Sequence, residues 1–461
     1  MSTRETRGSR RRWRILGILG VAQLMLILDV TVVAIALPHM ETDLGLSRAA
    51  LTWTVSAYTL AFGGLMLLGG RIADLVGARR TVLAGLLVFT GASLVTGLAG
   101  SAEMLLTGRI LQGVGAALLS PSALSLVVTL FEGDERNKAL GVWSALGGGG
   151  AALGVLLGGL ITAGPGWPWV FYVNVPIGLA IAATLARILP SRPAGTATRG
   201  AGAGRGGLDV LGALLVTASS VAVIYALIDA GDHGWFTATT GGLILLAALG
   251  YAAFVVRQKR ARAPLMDVSL LARRPVATGT FFILIASALM IAVFFLGTFY
   301  FQHARGYGPL RTGLLFLPVA VATMLGAAVT GRVIARVGPR PLGVLGLLVA
   351  AAGMAVPVFS LHPAAVVIGV AIAGAGAGAG FVVASATALG QVAPHEAGIA
   401  SGIVSTFHEF GSALGAAVVS SVAAASIAGQ TLDGFTDGFL VATCAAIGAA
   451  VIAGILTPGK H

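Results

Sequence analysis

Cysteine and charge are what this sequence has least of. Cys444 is the only cysteine in 461 residues, which excludes an intrachain disulfide and any cysteine-based metal cluster. Charged residues make up 10% of the chain, against roughly 25% in soluble domains. With 57% hydrophobic residues and a mean hydropathy of +0.94, the chain has too little polar surface to cover itself in water. No polar stretch reaches the length of an extramembranous domain, so the function must reside in the membrane. A phosphate-binding loop is missing too. Residues 147–150 and 374–380 are glycine-rich, but they lie inside apolar runs, with no strand before them and no Lys-Ser/Thr after. They read as small-residue seams for close helix packing. Neither a metal nor another cofactor is expected, and no catalytic constellation or sensor domain points to an enzyme or a receptor.

A bilayer-crossing helix needs about 20 apolar residues. By that measure the spans are 15–37, 50–69, 81–99, 104–127, 138–162, 169–187, 208–229, 237–256, 276–301, 312–331, 341–361, 363–388, 398–426 and 435–457. The chain is thus an all-α polytopic membrane protein of fourteen transmembrane helices. Its first apolar run follows a basic stretch, residues 1–14. That run is too long for a signal peptide, has no small-residue cleavage site and ends at Pro38. Basic residues in short loops set the orientation. With the N-terminus in the cytoplasm, Arg48, Arg305 and Arg311 fall outside and Arg109 falls in a span, leaving the other 25 of 29 basic residues inside. Both termini, including the tail 458–461, are then cytoplasmic. The net charge of +12 is a topology and lipid-surface signal, so no nucleic-acid partner is expected.

A charged turn between the second and third spans comes back 261 residues later. Gly70-Arg-Ile-Ala-Asp-Leu-Val-Gly-Ala-Arg-Arg80 aligns with Gly331-Arg-Val-Ile-Ala-Arg-Val-Gly-Pro-Arg340. The same offset carries Gly113 and Gly115 onto Gly374 and Gly376, Glu135 onto Glu396, and Gly154 onto Gly415. A constant shift without gaps marks a duplicated unit. The copies are two six-helix bundles, 15–187 and 276–457, joined by 188–275. That middle segment holds two linking helices, 208–229 and 237–256, between basic loops at 190–207 and 257–274. Parallel six-helix repeats make a transporter with its site between the halves.

The turn at Gly70–Arg80 resembles the signature loop of the major facilitator superfamily. Fourteen helices with an extra central pair are similar to its drug:proton antiporter branch of multidrug exporters. Leu28-Asp-Val-Thr-Val-Val-Ala-Ile-Ala-Leu-Pro38 resembles that branch's first-helix motif, with Ala34 where Asn is usual. Trp53 and Tyr58 fit the second-helix pattern, and Arg109-Ile-Leu-Gln-Gly-Val-Gly115 the fourth. The stretch from Trp167 to Gly178 resembles the start of helix six, with Pro168 in place of the usual Arg. The fifth-helix antiporter motif departs at Val155, where proline is usual, though the neighbouring glycines 147–150 supply a weak point of their own. Some members of that branch that export doubly charged drugs carry an acid in the tenth helix; 312–331 has none, so the resemblance implies no preference for such substrates. The resemblance covers essentially the whole chain. It implies a bacterial-type plasma-membrane protein, acting as a monomer, that exports hydrophobic or cationic compounds against a proton gradient by alternating access.

Ionisable groups held in hydrocarbon are costly and mark function. Asp29 lies about 12 Å from the outer end of the first span, and Arg109 lies at similar depth on the fourth. A carboxylate facing a guanidinium sheds its proton readily, whereas one desolvated apart from it keeps the proton. Motion that joins and separates the two would couple protons to transport; the competing reading is a static ion pair. His408 and Glu409 sit about 15 Å into the thirteenth span. As sequence neighbours they point about 100° apart, so one of them can line the cavity while the other pairs with a neighbouring helix. Both are candidates for proton coupling, since a buried His or Glu can exchange protons or hold a cationic substrate; the competing reading is a hydrogen-bonded contact between helices. Gly70, Arg71, Asp74, Gly77, Arg79 and Arg80 are expected to gate the cytoplasmic mouth. Asp74 would be the one-sided latch, since Ala335 stands in its place in the second copy. Trp53, Tyr58, Gln112, Asn174, Phe294, Phe295 and Tyr300 are the candidate substrate contacts, by apolar burial and cation–π attraction. The rival reading on the same scaffold is a proton symporter, or an exporter dedicated to one metabolite, peptide or antibiotic.

Overall fold

The computed structural model describes residues 3–189, 207–390, 392, 397–427 and 431–456, and the regular structure among them is helical. The first six long helices are α1 (Thr3–Leu44), α2 (Arg48–Val76), α3 (Ala78–Gly97), α4 (Ala102–Leu130), α5 (Gly133–Ala163) and α6 (Trp169–Ile188). The middle pair is α7 (Val210–His233) and α8 (Ala238–Arg260). Then come α9 (Arg274–Phe299), α10 (Pro309–Val337), α11 (Pro339–Phe359), α12 (Pro363–Leu389), α13 (Ala397–Val422) and α14 (Asp433–Leu456). Among the described residues, thirteen of these are long and apolar enough to cross a bilayer. The fourteenth, α5, carries its apolar run at Leu153–Ala163 and packs against α1 and α10.

Helix ends depart from the hydropathy limits where packing overrides them. The first span was expected to stop at Pro38, yet α1 runs on to Leu44 with Pro38 buried inside it. Proline removes one backbone hydrogen bond, a loss that membrane helices tolerate where neighbours pack against the site. The sixth span is interrupted at Val173, and α9 passes into a π-helical turn, Tyr300–Ala304. The basic loop at 190–206 and the tail lie outside the described residues.

The sequence repeat reappears in the backbone. Gly77 joins α2 to α3 at φ 103°, and its counterpart Gly338 joins α10 to α11 at φ 95°. Only glycine adopts that region without a Cβ clash. Gly115 of α4 lies against the backbone of Gly85 and Phe89 on α3, and Gly376 of α12 lies likewise against Gly346 and Ala350 on α11. These small-residue contacts let paired helices approach closely.

Two long seams join the copies, α2 with α13 and α5 with α10. The repeat carries α2 onto α10 and α5 onto α13, so each seam is the image of the other. Arg48 and Thr52 on α2 both bond Ser420 on α13, at 3.1 and 2.6 Å, and Gln302 donates to the Ile35 carbonyl at 2.9 Å. These ties sit toward the face opposite the Gly77 and Gly338 turns. The α7–α8 pair lies outside the copies, with α7 against both α2 and α13.

Candidate functional site

The deepest polar network lies inside the first copy, where α4 carries two polar side chains one turn apart. Arg109 and Gln112 share one face because residues three apart are neighbours on a helix. The Arg109 Nη1 donates to Asp29 Oδ2 on α1 and, at 2.9 Å, to Gln112 Oε1. Its Nε donates to the Thr54 carbonyl on α2 at 2.9 Å. Gln112 Nε2 donates to Asp29 Oδ1 at 3.0 Å and to Ser93 Oγ on α3 at 2.9 Å. The Thr96 hydroxyl donates to Gln112 Oε1 at 3.4 Å, and Asn174 on α6 donates to Ser93 at 3.5 Å. The Arg109 guanidinium stands 4.4 Å from the Tyr58 ring centre and 5.9 Å from that of Phe171. Both oxygens of the carboxylate and two faces of the guanidinium are thus engaged. A buried charge pair needs that degree of satisfaction to persist.

The second copy supplies a different pair on α13. His408 turns to its own copy, with Nδ1 2.6 Å from Ser287 Oγ on α9 and its ring 5.7 Å from that of Phe381 on α12. Glu409 turns the other way, toward α2, and its Cβ lies 2.7 Å from where a side chain on Gly63 would begin. Gly63 thereby makes room for an acid from the opposite copy. Thr406, one turn earlier, donates to the Gly63 carbonyl at 3.2 Å. Tyr58 lies between the two systems, packed on Arg109 and within electrostatic reach of both Asp29 and Glu409. A chain of polar contacts therefore approaches the α2–α13 seam from both sides.

The other expected site residues have varied surroundings. Gln112 and Asn174 belong to the Asp29 network. Trp53 faces α7, with its ring 6.4 Å from that of Tyr225. Phe294 packs on Phe316 at 5.3 Å, and Phe295 on Phe299 at 5.0 Å. Tyr300 packs on Phe435 and donates its hydroxyl to the Leu361 carbonyl. These three rings lie in the main apolar core, which residues of both copies share. In the charged turn, Asp74 is exposed and Arg71 is its electrostatic neighbour. Arg79 donates to the Ala186 carbonyl on α6 at 2.6 Å, while Arg80 is exposed. The named partners of Asp74 and Arg79 thus lie in the first copy.

Sequence reasoning missed Thr54, Ser93 and Thr96. Ser93 and Thr96 stand three apart on one face of the apolar helix α3, which is the signal that could have found them. Thr54 contributes a backbone carbonyl, which no residue type announces.

Residues 19–416 match the profile of the Major Facilitator Superfamily. The puromycin resistance protein pur8 of Streptomyces alboniger is 39% identical over 471 residues, covering 97% of this chain and 90% of its own. The tetracenomycin C resistance and export protein of Streptomyces glaucescens is 32% identical over 472 residues, covering 98% and 85%. Among solved structures, that of a D-xylose-proton symporter superposes with a TM-score of 0.68 at 14% identity, covering 97% of this chain and 98% of that one. At that identity the likeness concerns the fold alone.

Proposed function

This chain belongs to the Major Facilitator Superfamily, and from that premise we propose that it exports hydrophobic or cationic drug-like compounds in exchange for protons. The relatives named for puromycin resistance and for tetracenomycin C resistance and export support the direction and the substrate class. The observation that carries the proton half is Asp29 held by Arg109 and Gln112 inside the first copy. In this reading the protein lies in a bacterial plasma membrane, with the Gly77 and Gly338 turns on the cytoplasmic side. The copies rock against each other along the α2–α13 and α5–α10 seams. A proton reaching Asp29 from outside neutralises the carboxylate and frees Arg109 for its other partners, Thr54, Gln112 and the Tyr58 ring. Release of that proton to the cytoplasm restores the ion pair. Glu409, facing α2 from the other copy, meets the positive charge of a cationic substrate.

The charged turn is the cytoplasmic gate, with Asp74 engaging the second copy when the mouth closes. Wild-type and Asp29→Asn proteins in everted membrane vesicles test the reading. Acidifying the vesicle interior should drive ethidium inward, an uncoupler should abolish that uptake, and Asp29→Asn should show none. Uptake indifferent to the pH gradient would defeat the exchange. Dye leaving the vesicles with the protons would make the protein a symporter.

A further inference from the structure

The linking helices line a cavity of about 960 Å³ that borders Gly63 and Thr406 at the α2–α13 seam and includes none of Asp29, Arg109 and Gln112 in its walls. It lies between α7 and α8 on one side and the α2–α13 seam on the other. Leu60 of α2, Val223 and Ile224 of α7, and Phe410 and Leu414 of α13 line its apolar depth. Ser220, Tyr251 and Thr406 on its walls are engaged with each other or with backbone, Ser220 with Tyr251 at 2.8 Å and Thr406 with the Gly63 carbonyl at 3.2 Å. The charged groups lie at the opposite end, where Gln258, Lys259, Asp267 and Ser269 form the rim. Val255 and Lys259 on that rim are exposed, so the cavity reaches the surface of the molecule. Along α13 it extends from Ile403 to Leu414, about 16 Å at the helical rise. That matches one leaflet's share of a hydrocarbon core about 30 Å thick.

Charge at the rim selects the occupant. From Arg257 to Arg274 the chain carries six basic residues and a single acid, Asp267. The Asp267 carboxylate already accepts from the Ser269 amide at 2.8 Å. Arg257 is bound to Asp209 at 3.0 Å, whereas Lys259 at the rim and its sequence neighbours Arg260 and Arg262 are exposed. A cationic drug entering here would meet like charge. We propose that this cavity holds the acyl chain of an anionic phospholipid, its headgroup resting against Lys259 and the basic loop. The lipid touches both linking helices and both helices of the moving seam, so it joins α7 and α8 to the transport machinery. The proposal requires only that the chain sits in a bilayer, and it goes beyond the exchange reaction.

The full-length protein can be tested by native mass spectrometry, after equal loading with phosphatidylglycerol or phosphatidylcholine of identical chains. Phosphatidylglycerol should be retained about fivefold better, and Lys259→Gln should remove most of that preference, the rough effect of one surface charge. Lys259→Arg should keep it. Val223→Trp, which fills the cavity, should lower retention of both lipids; Val216 also lines it, and Val216→Phe serves the same purpose if the tryptophan variant does not fold. Equal retention of the two lipids would overturn the headgroup assignment. Retention untouched by the filled cavity would place the lipid elsewhere. Displacement of phosphatidylglycerol by ethidium would make the cavity a substrate site instead. None of these readings depends on proton-driven transport.

Discussion

Arg109 donates to Asp29 where neither side chain has more than 1% of its surface exposed. The two residues come from different helices, α1 and α4, so anything that shifts one helix against the other acts on this bond. Gln112, one turn further along α4, holds the second carboxylate oxygen. The same helix therefore grips the acid twice, once with a charge and once without.

Asp29→Asn tests whether that grip serves transport or only stability. Losing one partner of a buried pair leaves an uncompensated charge and costs about 3 kcal/mol or more. The expected outcome is a lower unfolding temperature in detergent together with loss of uncoupler-sensitive efflux. The double variant Asp29→Asn/Arg109→Gln should recover much of the stability and none of the efflux. Efflux restored along with stability would assign the pair a purely structural role.

Glu409→Gln separates cationic from neutral substrates. Its side chain faces α2 across Gly63 and is nearly buried, so the amide fits the same space. Removing the charge should weaken a cationic dye about tenfold in half-saturating concentration, a change of about 1.4 kcal/mol. A neutral compound should change less than about twofold. Equal losses for both would remove Glu409 from substrate contact.

Much of this arrangement was legible in the sequence, and the reason is the solvent. A bilayer demands long apolar helices, so most of the spans were legible in hydropathy, and the Gly77 turn and its counterpart at Gly338 share the same backbone conformation. Equal depth on antiparallel spans already brought Asp29 beside Arg109. The helix ends were less legible, because Pro38 was expected to stop α1 and buried packing carries the helix past it. The position of α7 against α2 and α13 was not legible, since apolar periodicity does not name a neighbour. Nor was the clamp at Arg48, which bonds Asp232, Ser420 and the Ile228 carbonyl. Tyr300 shows the same limit, because its ring partner Phe435 comes from a helix remote in sequence.

The repeated glycine contacts predict paired effects. A Cβ at Gly115 would sit 2.5 Å from the Phe89 backbone nitrogen, and backbone cannot step aside as a side chain can. Gly115→Ala should destabilise the protein by about 1–3 kcal/mol through overpacking. Gly376→Ala, its counterpart on α12, should cost a similar amount. Gly91→Ala, where nothing lies within 4 Å, is the control. It should be neutral or stabilising by up to about 1 kcal/mol, since alanine favours the helix. Unfolding temperatures of the three purified variants decide the matter.

Asp209 links the start of α7 to the end of α8 and gives their pairing a pH dependence. Its Oδ1 accepts from the Gly212 amide and from Arg257 Nε, each at 3.0 Å, and its Oδ2 accepts from Gln258 Nε2 at 2.7 Å. Burial pushes the carboxyl up. The bonds from Gly212, Arg257 and Gln258 together outweigh it and hold the group below its ordinary value of 3.8. A folded-state value below the unfolded one contributes stability that is present above pH 3.8 and lost as the pH falls through the lowered folded value. Asp209→Asn keeps the helix cap but removes the charge, so the cost should be about 1 kcal/mol near neutrality, given that Arg257 is partly exposed. Thermal unfolding of both proteins from pH 7 downward should show the wild-type advantage constant at first and then vanishing below the ordinary carboxylate range. An advantage that grows on acidification would mean that the carboxyl is held above its ordinary value, contrary to this geometry.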